Sequence, residues 1–319
     1  MIELKNTGKI YRNKRLFRSR EESRGVEELN LSIGAGAFGL LGINGAGKTT
    51  TLKMIATLLR PTSGSISIDG LDTVKEEKKL RSRINMITGS DRMLYFRLTG
   101  RENLHYFASL YGLSRRETGK RSEDLLQLTG LSAAADKRVE EYSRGMKQRL
   151  AIARGLINNP SVLLLDEPTL GLDVSIAAEI RSFIREELLG RTDRTVILTS
   201  HYMSEIEEIC PRIGILQQGR LIYEGEPDSL YRKLNMDEIH RFSMPWQHKG
   251  LRGDIERLAG GDVDWTDVEA GDICFSMTAE NGYRFLKNMD SLSIKGLSYS
   301  QEKPGLEEAV KRLTTAGGL

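Results

Sequence analysis

The chain opens with two stretches in which apolar and polar positions alternate. "MIELKNTGKIY" and "VEELNLSIGAG" show the two-residue period of strands with one buried face, and they read as the two arms of a hairpin. Between them, "RNKRLFRSREESRG" breaks the alternation. It reads as a long, arginine-rich surface connection, with contact to lipid headgroups or a membrane partner as the sharper alternative. "AFGLLG" is continuously apolar, the pattern of a buried strand, and "TTTLKMIATLL" after it has helical spacing. "TSGSISIDG" is a short strand closed by the turn pair Asp69-Gly70.

From Arg101 to about Asn159 the pattern turns helical. Thr99-Gly100-Arg101-Glu102 and Ser114-Arg115-Arg116-Glu117 match the capping box, so a helix is expected to start at each. In "ENLHYFASLYGL", Leu104, Phe107, Ala108 and Tyr111 share one face, which predicts core rather than a binding site. "SVLLLDEPT" and "TVILTSH" are apolar strands, the first ending in Asp166 and Glu167, the second in His201. Strands alternating with helices predict an α/β fold with a mostly parallel sheet. "PRIGILQQGRLIYEGEP" then reads as a hairpin turned at Gln218-Gly219.

The pattern changes near Leu230. Beyond it the expected elements are strand 238–244, helix 248–260, strands 263–268 and 273–277, helix 280–290, strand 292–299 and helix 305–315. The order β-α-β-β-α-β is that of a ferredoxin-like α+β domain. A chain of 319 residues has room for two domains, so the expected division is 1–229, with a helical part at about 90–160, and 230–319.

Composition removes several functional classes. A net charge of +3 is too small to argue for nucleic acid. Two cysteines, Cys210 and Cys274, make neither a disulfide framework nor a metal cluster and suit a reducing compartment. No signal peptide is visible, and no apolar run approaches the ~18–20 residues of a membrane span. Any membrane role is therefore expected to run through a partner.

Candidate chemistry sits where strands meet helices. Gly42, Gly47, Lys48 and Thr49 in "GINGAGKT" fit the phosphate-binding pattern G-x-x-x-x-G-K-[ST]. Glycines let backbone N–H groups turn inward around an anion, and a helix N-terminus adds its positive end. Lys48 can then reach the outer phosphates of a nucleotide, and Thr49 can ligate Mg²⁺. Asp166, at the end of a buried strand, can hold the same ion, and Glu167 can polarise a water. Ser143, Arg144 and Gly145 precede a helical run, where a hydroxyl and backbone N–H groups can face an anion. A plain serine N-cap is the alternative.

"YSRGMKQRLAIARGL", at this distance before "VLLLDEP", resembles the signature segment of the ATP-binding subunits of ABC transporters. The resemblance continues through "DEPTLGLD" and "ILTSHYMSE" and spans about residues 1–230. Tyr142 and Arg144 stand where the family has leucine and a second glycine. The resemblance implies ATP and Mg²⁺ as ligands, with Asn44, Gly45, Ala46, Gly47, Lys48, Thr49 and Thr50 around the phosphates. It implies Tyr11 stacked on the adenine, His201 on the γ-phosphate and the attacking water, and Asp173 as the family's D-loop aspartate. Ser143 and Gly145 would act on the ATP of a second subunit, in a head-to-tail dimer, and a separate membrane permease would be driven from the cytoplasmic face.

"PGLEEAVKRLT" at the end, with "LTGRENLHYFASLYGL", resembles ATPase subunits of type-2 ABC exporters, which handle drugs, polysaccharides, lipids, peptides or sodium. One departure is notable. The family's Mg²⁺-ligating glutamine should fall in "MITGSDRMLYFRLT", which contains none, and counting back from Leu98-Thr99 puts Ser90 in its place. Ser90 or the adjacent Asp91 is the expected substitute. The rival classes are a soluble ABC ATPase of repair or translation, a GTPase switch and a ligand-sensing C-terminal domain. The first usually carries coiled coils or two cassettes, and the second an N-K-x-D motif, and this sequence has neither.

Overall fold

The computed structural model describes residues 1–13, 21–89, 94–189, 194–234, 236, 238–269, 272–302 and 305–315. The chain falls into two compact units that divide between Pro227 and Asp228. The first runs β1 (Ile2–Asn13), β2 (Glu21–Ile33), β3 (Gly36–Leu41), α1 (Lys48–Ile55), β4 (Ser63–Ile68), β5 (Leu71–Asp72), α2 (Glu77–Leu80), β6 (Ile84–Thr88), α3 (Gly100–Leu110), α4 (Arg115–Leu128), α5 (Arg144–Gly155), β7 (Val162–Asp166), α6 (Val174–Phe183), β8 (Thr195–Thr199), α7 (Met203–Ile209), β9 (Arg212–Gln217) and β10 (Arg220–Gly225).

Two sheets form from these strands. One is antiparallel in the order β2-β1-β4-β5; the other has the order β10-β9-β3-β8-β7-β6 and is parallel except for β10. The central parallel strands are apolar through their middles because both faces are covered: Leu163, Leu164 and Leu165 of β7 are each 0% exposed. Each such side chain contributes about 1.5–3 kcal/mol by leaving water. One apolar cluster joins the two sheets through Leu52, Met54 and Ile55 of α1. The register of β7 on β8 sets Asp166 beside Thr199, so the carboxyl ends of these strands lie level.

Both capping boxes form, at Thr99 and at Ser114. The turns at Asp69-Gly70 and Gln218-Gly219 have positive φ at both residues, as a two-residue hairpin loop requires. The arginine-rich connection is shorter than its sequence suggests. β1 runs on to Asn13 and β2 begins at Glu21, because backbone pairing needs no apolar alternation; residues 14–20 lie outside the described ones. The shared face of α3 is also only partly core. Leu104 and Ala108 are buried, but Tyr111 is 37% exposed and, with Phe107, lines a groove.

The second unit follows α8 (Pro227–Lys233) with β11 (Ile239–Pro245), α9 (Arg252–Ala259), β12 (Asp264–Glu269), β13 (Asp272–Thr278), α10 (Ala279–Asn288), β14 (Ser298–Glu302) and α11 (Leu306–Thr315). Its antiparallel sheet has the order β12-β13-β11-β14, the arrangement of a ferredoxin-like β-α-β-β-α-β unit. The last strand lies later than the expected 292–299. Met289–Leu292 winds on as a 3₁₀ turn, and Ser293 and Gly296 take positive φ before pairing begins at Ser298. The helix expected from 248 begins as a 3₁₀ segment, Trp246–Leu251, and turns α-helical at Arg252.

Phe242, Phe275 and Phe285 form the centre of this core, with Phe242 stacked on Phe275 at 5.1 Å and Phe285 edge-on to Phe242 at 5.0 Å. His240, one turn of the pleat away, is 0% exposed. Its Nδ1 lies 3.1 Å from the Tyr299 hydroxyl, Nε2 has no hydrogen-bond partner among the described residues, and burial lowers its pKa from the ordinary 6.5.

Both tryptophans of the chain, Trp246 and Trp265, belong to the second unit, so their fluorescence reports on it alone. Phe285→Ala is expected to lower the stability of this unit in a urea titration by about 3–5 kcal/mol, the usual result of emptying a buried phenylalanine site. The same signal should reveal a pH dependence. The folded His240 resists protonation while the unfolded one does not, so the unfolded state binds more protons below pH 6.5 and stability falls as pH drops through that value. His240→Gln should flatten this slope.

Candidate functional site

The loop from Gly42 to Gly47 joins the carboxyl end of β3 to α1. Gly47 is the N-cap, with φ 105°, and no side chain caps the helix. A Cβ at this residue would stand 2.5 Å from the Gly25 carbonyl oxygen, so both the conformation and the space demand glycine. The first turn of α1, Lys48, Thr49 and Thr50, has no side-chain cap among the described residues and borders a recess. This recess holds about 290 Å³ and is lined by Tyr11, Asn44, Gly45, Ala46, Gly47, Lys48, Thr49, Thr50 and Glu167, together with Ser23, Arg24 and Gly25.

Lys48 is 6% exposed. Its ammonium donates to the carbonyls of Gly42 at 2.5 Å and Ile43 at 3.3 Å. Burial lowers its pKa, and the charges of Glu167 and Asp166 oppose that shift. Thr49 Oγ1 donates toward both carboxylate oxygens of Asp166, at 3.3 and 3.2 Å, and Thr199 Oγ1 donates to Oδ1 at 2.7 Å. Two hard oxygen ligands thus stand side by side, Thr49 in the lining of the recess and Asp166 bonded to it, a set that fits a small divalent cation which keeps several waters and phosphate oxygens of its own.

Glu167 adopts φ 55°, which is uncommon for a residue with a side chain and clusters at functional sites. Its N–H donates to Thr199 O at 3.0 Å. The turn aims its carboxylate into the recess on one side and at His201 on the other, with His201 Nε2 2.7 Å from Glu167 Oε1.

Tyr11 lies at the open end of the recess, 38% exposed, with its hydroxyl 3.1 Å from Thr50 Oγ1. Ser23, Arg24 and Gly25 escaped the sequence reading because they sit in the arginine-rich stretch. Cross-strand register was the available signal: Tyr11 pairs with Ser23 and Ile10 with Arg24.

Ser143 and Gly145 are not among the residues that line the recess. Ser143 caps α5, its hydroxyl accepting from Met146 N–H at 3.2 Å. Gly145 is buried, and a Cβ there would lie 2.7 Å from Ile176 Cγ2. Arg144 donates to Gly171 O at 2.9 Å, which ties this segment to the loop before Asp173. Asp173 is exposed and is the N-cap residue of α6, without a side-chain cap bond. Tyr142 is buried, with its hydroxyl on Ala134 O at 2.7 Å. Ser90 and Asp91 lie outside the described residues.

The family model described as ABC transporter matches residues 26–170. The chain is 41% identical to the ABC transporter ATP-binding protein NatA of Bacillus subtilis (strain 168) over 229 residues, 72% of this chain and 92% of that protein. It is 39% identical over 316 residues to the Nod factor export ATP-binding protein I of Neorhizobium galegae, covering 98% of this chain and 84% of the relative. Among solved structures, it resembles the dimeric post-hydrolysis state of the ATP-binding cassette MJ0796 bound to ADP and Pi, with a TM-score of 0.62 and 28% identity over 71% of this chain and 98% of that one.

Removing the buried ammonium should weaken nucleotide binding directly. Lys48→Ala is expected to raise the Kd of a fluorescent ATP analogue by about tenfold to a hundredfold, the scale of one charge-assisted hydrogen bond. Titration of the purified chain checks this.

Proposed function

The chain belongs to the ABC transporter ATP-binding proteins, and on that premise we propose that it is the ATP-hydrolysing motor subunit of an exporter. The observation that carries this reading is the 2.7 Å contact between His201 and Glu167, a residue that lines the recess at the phosphate loop. A carboxylate poised on an imidazole, beside a buried lysine, can polarise a water and place it against the terminal phosphate. His201, 40% exposed at its side chain, is free to donate to a phosphate oxygen once ATP enters. Lys48 and the first-turn N–H groups of α1 hold the outer phosphates, and Tyr11 offers its ring to the base. Thr49 and Asp166 would hold Mg²⁺, which supplies neutralising charge to the phosphate oxygens when bound.

Two further features support an assembly. Ser143 and Gly145 lie off the recess they are expected to serve, as they would if they closed on the ATP of a second subunit. The segments bearing Glu167, Asp173 and His201 also expose Leu170, Val174 and Tyr202, at 49%, 85% and 57%, apolar surface suited to a protein interface. For the permease, support comes from the relatives' roles and from a groove of about 630 Å³ lined in part by Leu58, Met86, Phe107, Leu110 and Tyr111. No helix among the described residues is long and apolar enough to cross a membrane. In this reading the protein works at the cytoplasmic face, held there by the permease. Residues 1–229 are the motor domain, residues 230–319 an accessory domain, and no nucleic acid is involved.

Glu167→Gln keeps the shape of the side chain but removes the base. Turnover is expected to fall about 10²–10⁴-fold while ATP binding persists, and an ATP-loaded dimer should accumulate on size-exclusion chromatography. Hydrolysis at close to the parental rate would remove Glu167 from the reaction.

A further inference from the structure

One carboxylate in the first unit is almost sealed from water and is absent from the chemistry above. Glu205, in the first turn of α7, is 3% exposed. Its Oε2 accepts from Thr169 Oγ1 at 2.8 Å and from Ser200 Oγ at 2.7 Å, and its Oε1 faces Arg181 Nη1 at 3.1 Å. Thr169 and Ser200 are themselves 2% and 4% exposed. Thr169 lies two residues after Glu167, and Ser200 immediately precedes His201.

The two hydroxyls leave the ends of two different strands, and a single oxygen atom holds both. Arg181 brings in a third element. It lies on α6, the helix that begins after Asp173, and its Nε also reaches Glu208 Oε2 at 3.2 Å. A buried carboxylate is costly to desolvate, and a well-packed apolar side chain of similar volume often does as well for stability alone. What distinguishes this carboxylate from such a side chain is the set of groups it holds in place.

We propose that Glu205 is a positioning residue for hydrolysis, a buried clasp that fixes the exit of β7 against the exit of β8 and thereby sets the Glu167–His201 contact. The proposal rests on the reading that this pair acts on ATP. The Glu167 turn is left-handed and is held from behind by Thr199 O. Thr169, two residues on, and Ser200, next to His201, are both tied to Glu205. Without the clasp, either strand end can move by a fraction of an ångström, and such displacements are enough to lower a rate without touching the binding of the substrate. Glu205 is not in the recess, so its effect should reach kcat and spare KM.

Glu205→Gln tests the carboxylate, but it places an amide against Arg181 and risks misfolding. The double variant Thr169→Val/Ser200→Ala leaves the Glu205–Arg181 pair intact but removes, besides the two bonds to Oε2, the Ser200 Oγ acceptor of the Tyr202 N–H at 3.0 Å, so the single variant Thr169→Val, which spares that bond, is measured beside it. Steady-state ATPase measurements on the purified full chain should show kcat reduced about tenfold to a hundredfold in the double variant, with KM for ATP near the parental value and the chain still folded at the assay temperature, its thermal midpoint lowered by the loss of hydrogen bonds to a buried carboxylate. Combined with Glu167→Gln, the double substitution should cost nothing further in single-turnover hydrolysis, because the clasp acts through Glu167. An unchanged kcat, a loss that appears in KM instead, or the same fold-loss in the Glu167→Gln background would each overturn the proposal. If Glu167→Gln alone hydrolyses ATP normally, the underlying reading of the site fails and takes the clasp with it. An inactive Glu167→Gln beside a fully active double variant would sink the clasp alone.

Discussion

Lys48 carries an ammonium into a place with almost no water. It is 6% exposed and finds two carbonyls of its own loop, while the charges of Asp166 and Glu167 offset the burial that pulls its pKa down. A buried cation without nearby anions would be strongly destabilising, so β7 has to end where α1 begins. That requirement sets much else: the parallel pairing of β3 with β8 and of β8 with β7, the level carboxyl ends, and the apolar fill on both faces that holds those ends rigidly. An anionic ligand then meets a site already organised around charge. The helix end has no side-chain cap among the described residues, the lysine is desolvated, and the acids stand where a metal and a water would be handled.

The polar groups at these strand ends form one connected set. Asp166 takes hydroxyls from Thr49 and Thr199, Glu167 hydrogen-bonds to Thr199 through its backbone and touches His201 with its side chain, and Glu205 gathers the residues just beyond. Shared partners make such a network stiffer than isolated pairs, because no member can shift without breaking a bond to a second one. Rigidity is useful where a water must be aimed, and the left-handed φ of Glu167 survives because its neighbours hold it. The departures from the family in the signature segment also have local sense. Tyr142 is a buried side chain whose hydroxyl is satisfied by Ala134, and Arg144 binds the Gly171 carbonyl of the loop that leads to Asp173.

Where the sequence reading was incomplete, the shortfall has a common cause. The arginine-rich stretch looked like a loop because its side chains are polar. Yet Ser23 and Arg24 lie in β2, paired with β1, and line the recess. Tyr111 fell on the helical face expected to be core and instead borders a groove. The strand expected at 292–299 formed at Ser298–Glu302, after a turn whose backbone is left-handed at a serine, a residue that does not advertise it. Each of these depends on what packs against the segment, and composition is silent on that.

The sequence by itself determined the elements whose signals are local. Continuous apolar runs gave the buried strands, capping boxes gave the starts of α3 and α4, and the spacing of Gly42, Gly47, Lys48 and Thr49 gave the phosphate loop, because each is written within a few residues of itself. The second unit's β-α-β-β-α-β order was legible on the same terms. What only the tertiary structure decided are the meetings of distant residues: Thr49 with Asp166, Glu167 with His201, Tyr11 with Thr50 and Ser23, and Glu205 with Thr169, Ser200 and Arg181. Strand order and register fix those distances, and they follow from the packing of the whole sheet. A one-residue slip of β7 on β8 would turn its side chains to the opposite face while leaving every local pattern in the sequence unchanged.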